Sequence, residues 1–187
     1  MKVKFVTRWL FCVGFIVVAA TACGQRGAKG SLEVRVKDHA DAIGYFSKVN
    51  ITIDAIRLSP KIGFRFWRMG WLELSPSLRQ LDLTEFVNNS GATIFTGEIN
   101  ADSFEAFDLR VREVRGVLKE GSKEVEIDNK VKPIALPFSV NPGEPSTLVI
   151  DLTVMDMSDH PPATYELQLI GYEVYNNGKL VDKVPPG

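Results

Sequence analysis

The chain has 187 residues, with 22 Lys+Arg against 23 Asp+Glu, 15 Gly, 10 Pro and two Cys, which is room for one domain and a short appendage. A formal net charge of -1 argues against the basic surface by which a nucleic-acid-binding protein neutralises phosphates. Two cysteines exclude a disulfide scaffold and a four-cysteine zinc site, so stability has to come from an apolar core.

The first element is a leader. Lys2, Lys4 and Arg8 precede an unbroken apolar run over residues 9–20, followed by Thr21, Ala22 and Cys23. A spanning helix needs about 20 apolar residues, and this run is shorter and ends in small residues, as a secretory signal does. Ala20-Thr21-Ala22-Cys23 resembles the lipobox of bacterial lipoproteins. That resemblance implies cleavage before Cys23, which would then carry thioether-linked diacylglycerol and an N-acyl chain such as palmitate. Each buried CH2 contributes about 0.8 kcal/mol, so two or three chains hold a protein to a bilayer. The alternative is a plain signal cleaved after Ala22, leaving Cys23 as a free thiol. Cys12 is lost with the leader in either case. Removing residues 1–22 leaves 19 Lys+Arg against 23 Asp+Glu, so the mature domain is acidic. Residues 23–30, with the sequence CGQRGAKG, read as a lipidated flexible tether.

From Ser31 the pattern has period two. Leu32, Val34 and Val36 alternate with Glu33, Arg35 and Lys37, one face for a core and one for water. Val49, Ile51 and Ile53 share a face, and the parity then shifts across Asp54-Ala55 to Ile56 and Leu58, which predicts a β-bulge. Pro60 and Gly63 mark a turn, residues 71–74 a short strand, residues 78–86 a strand followed by one helical turn, and residues 94–99 another strand. The longest run places Phe107, Leu109 and Val111 opposite Asp108, Arg110 and Arg112, then shifts to Val114, predicting a second bulge. Residues 125–127, 134–140, 148–154 and 165–174 complete the set. The sum is an all-β chain: a single antiparallel β-sandwich of about eight or nine short strands over residues 31–178, after the leader, with a C-terminal tail over residues 179–187.

The segments GSLEVRVKD (30–38), VNITIDAIRL (49–58), GWLEL (70–74), LDL (81–83), FDLRV (107–111) and STLVIDL (146–152) resemble, in this order, the bacterial domain of unknown function 4382 family. The resemblance covers most of residues 30–175 and implies a secreted or lipid-anchored β-sandwich with no assigned chemistry. Two turns depart from the family pattern: Lys37-Asp38-His39-Ala40 replaces a Thr-Asp-Ala-Pro turn, and residues 99–104 replace a Leu-Pro-Ala-Gly-x-Tyr stretch.

Chemistry-bearing groups are few. Asp38 and His39 follow the first strand, and Asp156 and His160 fall in a later acidic loop. Together they are candidate ligands for a divalent cation or part of a carbohydrate-binding, even hydrolytic, site. Neither loop has the spacing of a calcium loop or a zinc helix, and the simpler reading is turn residues bonding their own backbone. By parity Asp151 faces solvent, which weakens a general-acid role. There is no nucleophile elbow and no phosphate loop.

The remaining candidate is the segment 61–71, in which Lys61, Arg65 and Arg68 interleave with Phe64, Phe66, Trp67 and Trp71. Such a hairpin suits lipid headgroups, a sugar ring or a protein partner; the alternative packs Phe64, Phe66 and Trp71 inward. The expectation is therefore a non-enzymatic, lipid-anchored, extracytoplasmic module of the cell envelope. Its partners would be the membrane, through Cys23, and an envelope protein or polysaccharide, with no nucleic acid and no cofactor.

Overall fold

The alternating segments become paired strands in the computed structural model, which describes residues 27–39, 41–61, 70–87, 91–159 and 164–185. Among the described residues twelve strands follow one another: β1 (Lys29–Asp38), β2 (Phe46–Pro60), β3 (Leu72–Leu74), β4 (Gln80–Asp82), β5 (Ala92–Asn100), β6 (Asp102–Leu118), β7 (Glu124–Glu126), β8 (Asp128–Asn129), β9 (Ile134–Val140), β10 (Pro145–Asp156), β11 (Tyr165–Asn176) and β12 (Lys179–Val184). Short 3-10 turns occupy Ala42–Tyr45 and Leu83–Phe86. The second follows β4 directly, as residues 78–86 predict, and Asp82 caps it by accepting a hydrogen bond from the Thr84 N–H.

Two six-stranded sheets form a β-sandwich. The first runs β12-β11-β10-β1-β5, with β8 also on β11; the second runs β3-β2-β6-β7, with β4 on β2 and β9 on β6. The inward residues are those the alternation selects: Leu32, Val34 and Val36 of β1 and Leu148, Ile150, Leu152 and Val154 of β10 face Val49, Ile51, Ile53, Ile56 and Leu58 of β2, all fully buried. Removing each from water stabilises the fold by roughly 1.5–3 kcal/mol. Phe46 of the second sheet meets Tyr165 of the first edge to face, with ring centroids 4.9 Å apart.

Both predicted bulges are present, and they coincide. Along the β2/β6 ladder Thr52 pairs with Glu113, Ile53 with Val111 and Ala55 with Arg110. Arg112 and Asp54 are thus the extra residues, one on each strand.

Three features differ from the sequence expectation. There are more strands than eight or nine: the short β3, β4 and β7 fall where residues 71–74, 78–86 and 125–127 predict them, whereas β8 has two residues and is too short to show a period. Antiparallel pairing dominates, but β1 lies parallel to β10, and β8 to β11; inward and outward alternation is the same for either direction. Residues 179–184 are no tail. They form β12, hydrogen-bonded to β11 through a two-residue turn in which Asn177 and Gly178 have φ of 50° and 73°. Asn-Gly is the favoured pair for such a hairpin turn, so the signal was present at Asn177-Gly178.

The topology sorts the loops to two ends. At one end the Ala101 N–H donates to the Ala28 carbonyl, Gly143 N–H to Lys29 and Lys61 N–H to Ser103. The start of β1, the end of β2, the β5/β6 corner and the β9/β10 turn are therefore neighbours. Gly30 is required there, since a Cβ would overlap the Asn141 carbonyl oxygen and come within 2.6 Å of Val140 Cγ1. The opposite end holds the residues after β1, the Ala42–Tyr45 turn, the β6/β7 turn and the residues after β10.

Candidate functional site

Of the aromatic and basic segment, Lys61 and Trp71 are described and both are exposed, Trp71 at 39 %. Phe64, Arg65, Phe66, Trp67 and Arg68 lie outside the described residues, as does Cys23. Trp71 immediately precedes β3. On the neighbouring β2, the guanidinium carbon of Arg57 lies 5.1 Å from the indole centroid, within range of a cation–π interaction. Arg57 is itself held from the other side. Its Nε donates to Oδ2 of Asp108 on β6 at 2.8 Å, and its Nη2 donates to the same oxygen.

The Asp108 carboxylate is buried at 3 % exposure. A buried carboxylate is tolerated when a cation and hydrogen bonds satisfy it, and here the same contact fixes the guanidinium rotamer. The result is an aromatic platform on the outer face of the second sheet, carried by a cation that a buried anion immobilises. Neither Arg57 nor Asp108 was expected as a site residue. Both have outward parity, and only the register that sets Arg57 against Asp108 joins them.

The acidic loops do share an end. The His39 N–H donates to the Leu152 carbonyl at 2.8 Å, and Thr153 Oγ1 donates to the His39 carbonyl at 3.1 Å. This follows from β1 and β10 being parallel. His39 is exposed, and the exposed Asp156 accepts the Ser158 N–H at 2.9 Å, the turn role that its residue type favours. His160 is outside the described residues. Among the described residues no three His, Cys, Asp or Glu side chains are grouped to hold a metal ion.

Asp38 points into the sandwich at 1 % exposure, and among the described residues neither carboxylate oxygen has a hydrogen-bond partner. Burial, with the negative charges of Asp151 and Asp41, pushes its pKa up to about 7.

Asp151 does not face solvent. It has the outward parity, but it is only 3 % exposed, and Lys37 Nζ lies 3.4 Å from its Oδ2. Lys37 also reaches Glu173 at 3.4 Å, Lys183 donates to Glu173 at 2.8 Å and the Tyr175 hydroxyl at 2.6 Å. Burial would raise the Glu173 pKa, but the hydrogen bonds from Lys183 and Tyr175 and the nearby Lys37 charge outweigh it and hold it at about 2. Alternating charges thus tie β1, β10, β11 and β12 together across their outer face. A shallow groove of about 610 Å³ beside β6 and β7 carries Arg112, Glu113, Arg115, Glu124, Glu126 and Asp128, with Arg115 paired to Glu113 and Asp128 to Lys130.

A model of the family described as Domain of unknown function (DUF4382) matches residues 29–167. The match begins with β1 and ends inside β11. No curated protein and no solved structure matches the chain.

Proposed function

The chain belongs to the DUF4382 family, and we propose that it works as a lipid-anchored, extracytoplasmic binding module of the cell envelope, held by Cys23 and contacting an envelope protein or polysaccharide through Trp71. The observation that carries this reading is the Trp71–Arg57–Asp108 stack: an exposed indole on a guanidinium pinned by a buried carboxylate. A pre-ordered aromatic and cation pair loses little side-chain freedom when it meets a partner. Nothing in the stack supplies a nucleophile or a proton-transfer pair, so the reading is of a binder and not an enzyme.

Two measurements test it. Labelled fatty acid should enter the wild-type chain and not Cys23→Ala, whose product should leave the membrane fraction; a Cys23→Ala chain that stays there overturns the anchor. Trp71→Ala should keep its fold yet lose cross-linking to envelope protein or retention on envelope polysaccharide; undiminished contact overturns the platform.

A further inference from the structure

We propose that the end of the sandwich formed by Ala28, Ala101, Lys61 and the turn around Gly143 faces the bilayer, and that the acidic end with Asp41, Glu120 and Asp156 faces away from it. The inference rests on the lipid-anchor reading above and adds the orientation of the domain on the lipid surface.

The tether is short. Ala28 is fixed to the domain, since its carbonyl accepts the Ala101 N–H at 2.8 Å and the next residue's carbonyl accepts the Gly143 N–H at 3.0 Å. From Cys23 to Ala28 the chain can span at most about 18 Å at full extension. By contrast β6, which runs from this end to the other, has 17 residues, a length of roughly 50 Å. A lipidated Cys23 therefore keeps the Ala28 end within about 18 Å of the headgroups, and the Glu120 end reaches them only when the domain lies along the surface. Pairing of β1 with β5 from Lys29 and with β10 from Ser31 keeps the start of β1 from peeling away to lengthen the tether.

The two ends also differ in charge. At the far end the exposed Asp41, Glu120, Glu124, Asp156 and Asp159 outnumber the exposed Lys48, Lys119 and Lys123, and an anionic lipid surface repels the excess. The near end presents exposed Lys29, Lys61 and Lys179 against exposed Glu98, which lies 3.7 Å from Lys29, and Glu144, so it lacks the acidic excess of the far end. Exposed Trp71, Leu72, Leu180 and Val181 also lie in or beside strands starting at this end, against Tyr45 in the far-end turn, and an apolar side chain with a polar neighbour suits the bilayer interface. The Trp71 platform then stands beside the membrane, so the partner it meets is one lying at the membrane surface.

The experiment uses the full lipidated chain with single cysteines introduced as Lys61→Cys, Glu144→Cys or Glu120→Cys, since acylation leaves no other thiol in the mature chain. Each is labelled with a small fluorophore, and the protein is placed in vesicles of equal parts phosphatidylethanolamine and phosphatidylglycerol containing spin-labelled lipid. Quenching at residues 61 and 144 should exceed that at residue 120 several-fold. A chain that floats with the vesicles but quenches equally at both ends, or more at residue 120, overturns the orientation alone. A wild-type chain that stays unbound overturns the anchor and the orientation with it. Two near-end probes keep the result independent of any one variant's folding.

Discussion

Asp54 and Arg112, the residues left over by the two facing bulges of β2 and β6, form an ion pair across the ladder. Each bulge adds one residue to its own strand, so together they restore the register while turning both extra side chains outward. The hydrogen bond and charge of Arg112 hold the Asp54 carboxyl below its usual range. Both side chains are well exposed, at 64 % and 42 %, so solvent and salt screen the pair. A double-mutant cycle with Asp54→Asn and Arg112→Gln should show a small favourable coupling in low salt that vanishes in about 1 M NaCl. Coupling that survives high salt would contradict the exposed geometry.

Gly116 gives a much larger effect. A Cβ there would overlap the Phe46 ring, coming within 2.6 Å of Cδ1 and 3.0 Å of Ile127 Cδ1. Phe46 cannot swing aside, because it is 2 % exposed and packs on Tyr165. Gly116→Ala should cost about 1–3 kcal/mol and lower the Tm by several degrees in thermal unfolding. An unchanged Tm would mean that the Phe46 ring is free to move.

Stability should peak in mild acid. Asp38 has a pKa of about 7 in the folded protein against an ordinary 3.8. Between these values the folded chain keeps a proton that the unfolded chain has released, so stability falls as pH rises through this window, by about 4 kcal/mol in all. Glu173 acts in the opposite sense. With a folded pKa of about 2 against 4.5, it stabilises fully above pH 4.5 and loses that contribution as pH drops towards 2. The Tm should therefore be highest near about pH 4–5. Asp38→Asn, neutral throughout, should flatten the decline towards neutral pH; a decline of undiminished size in that variant would assign it to another group.

The Arg57–Asp108 pair separates structure from contact. Arg57→Ala leaves a buried carboxylate without its cation and should cost about 3–5 kcal/mol. Trp71→Ala removes a half-exposed ring and about 0.5–1 kcal/mol of cation–π attraction, so its Tm should fall far less. Equal losses in chemical denaturation would show Trp71 to be a core residue, not a platform.

Strand faces and both bulges were legible in the sequence because each depends on local alternation. Val49, Ile51 and Ile53 changing parity to Ile56 is a property of one strand, readable without its neighbours. Trp71 could be singled out by type, but its supports could not, because Arg57 and Asp108 are 51 residues apart and each has the parity of an ordinary outward charge. The same limit hid the burial of Asp151, whose cover is Lys37 from β1 and Glu173 from β11.

Alternation states which side of a sheet a residue occupies; it is silent on which strand lies alongside and in which direction. The sequence by itself determined the all-β class, the inward residues of the long strands and the two parity shifts, across Asp54-Ala55 and before Val114; the ladder then made Asp54 and Arg112 the extra residues. Only the tertiary structure decided that β1 runs parallel to β10, that Asp38 ends as a buried carboxylate without a partner among the described residues, and that Ala28 and Lys61 emerge at one end. These are properties of long-range pairing, where a carboxylate such as Asp108 is tolerated in a buried place because a distant strand supplies its cation.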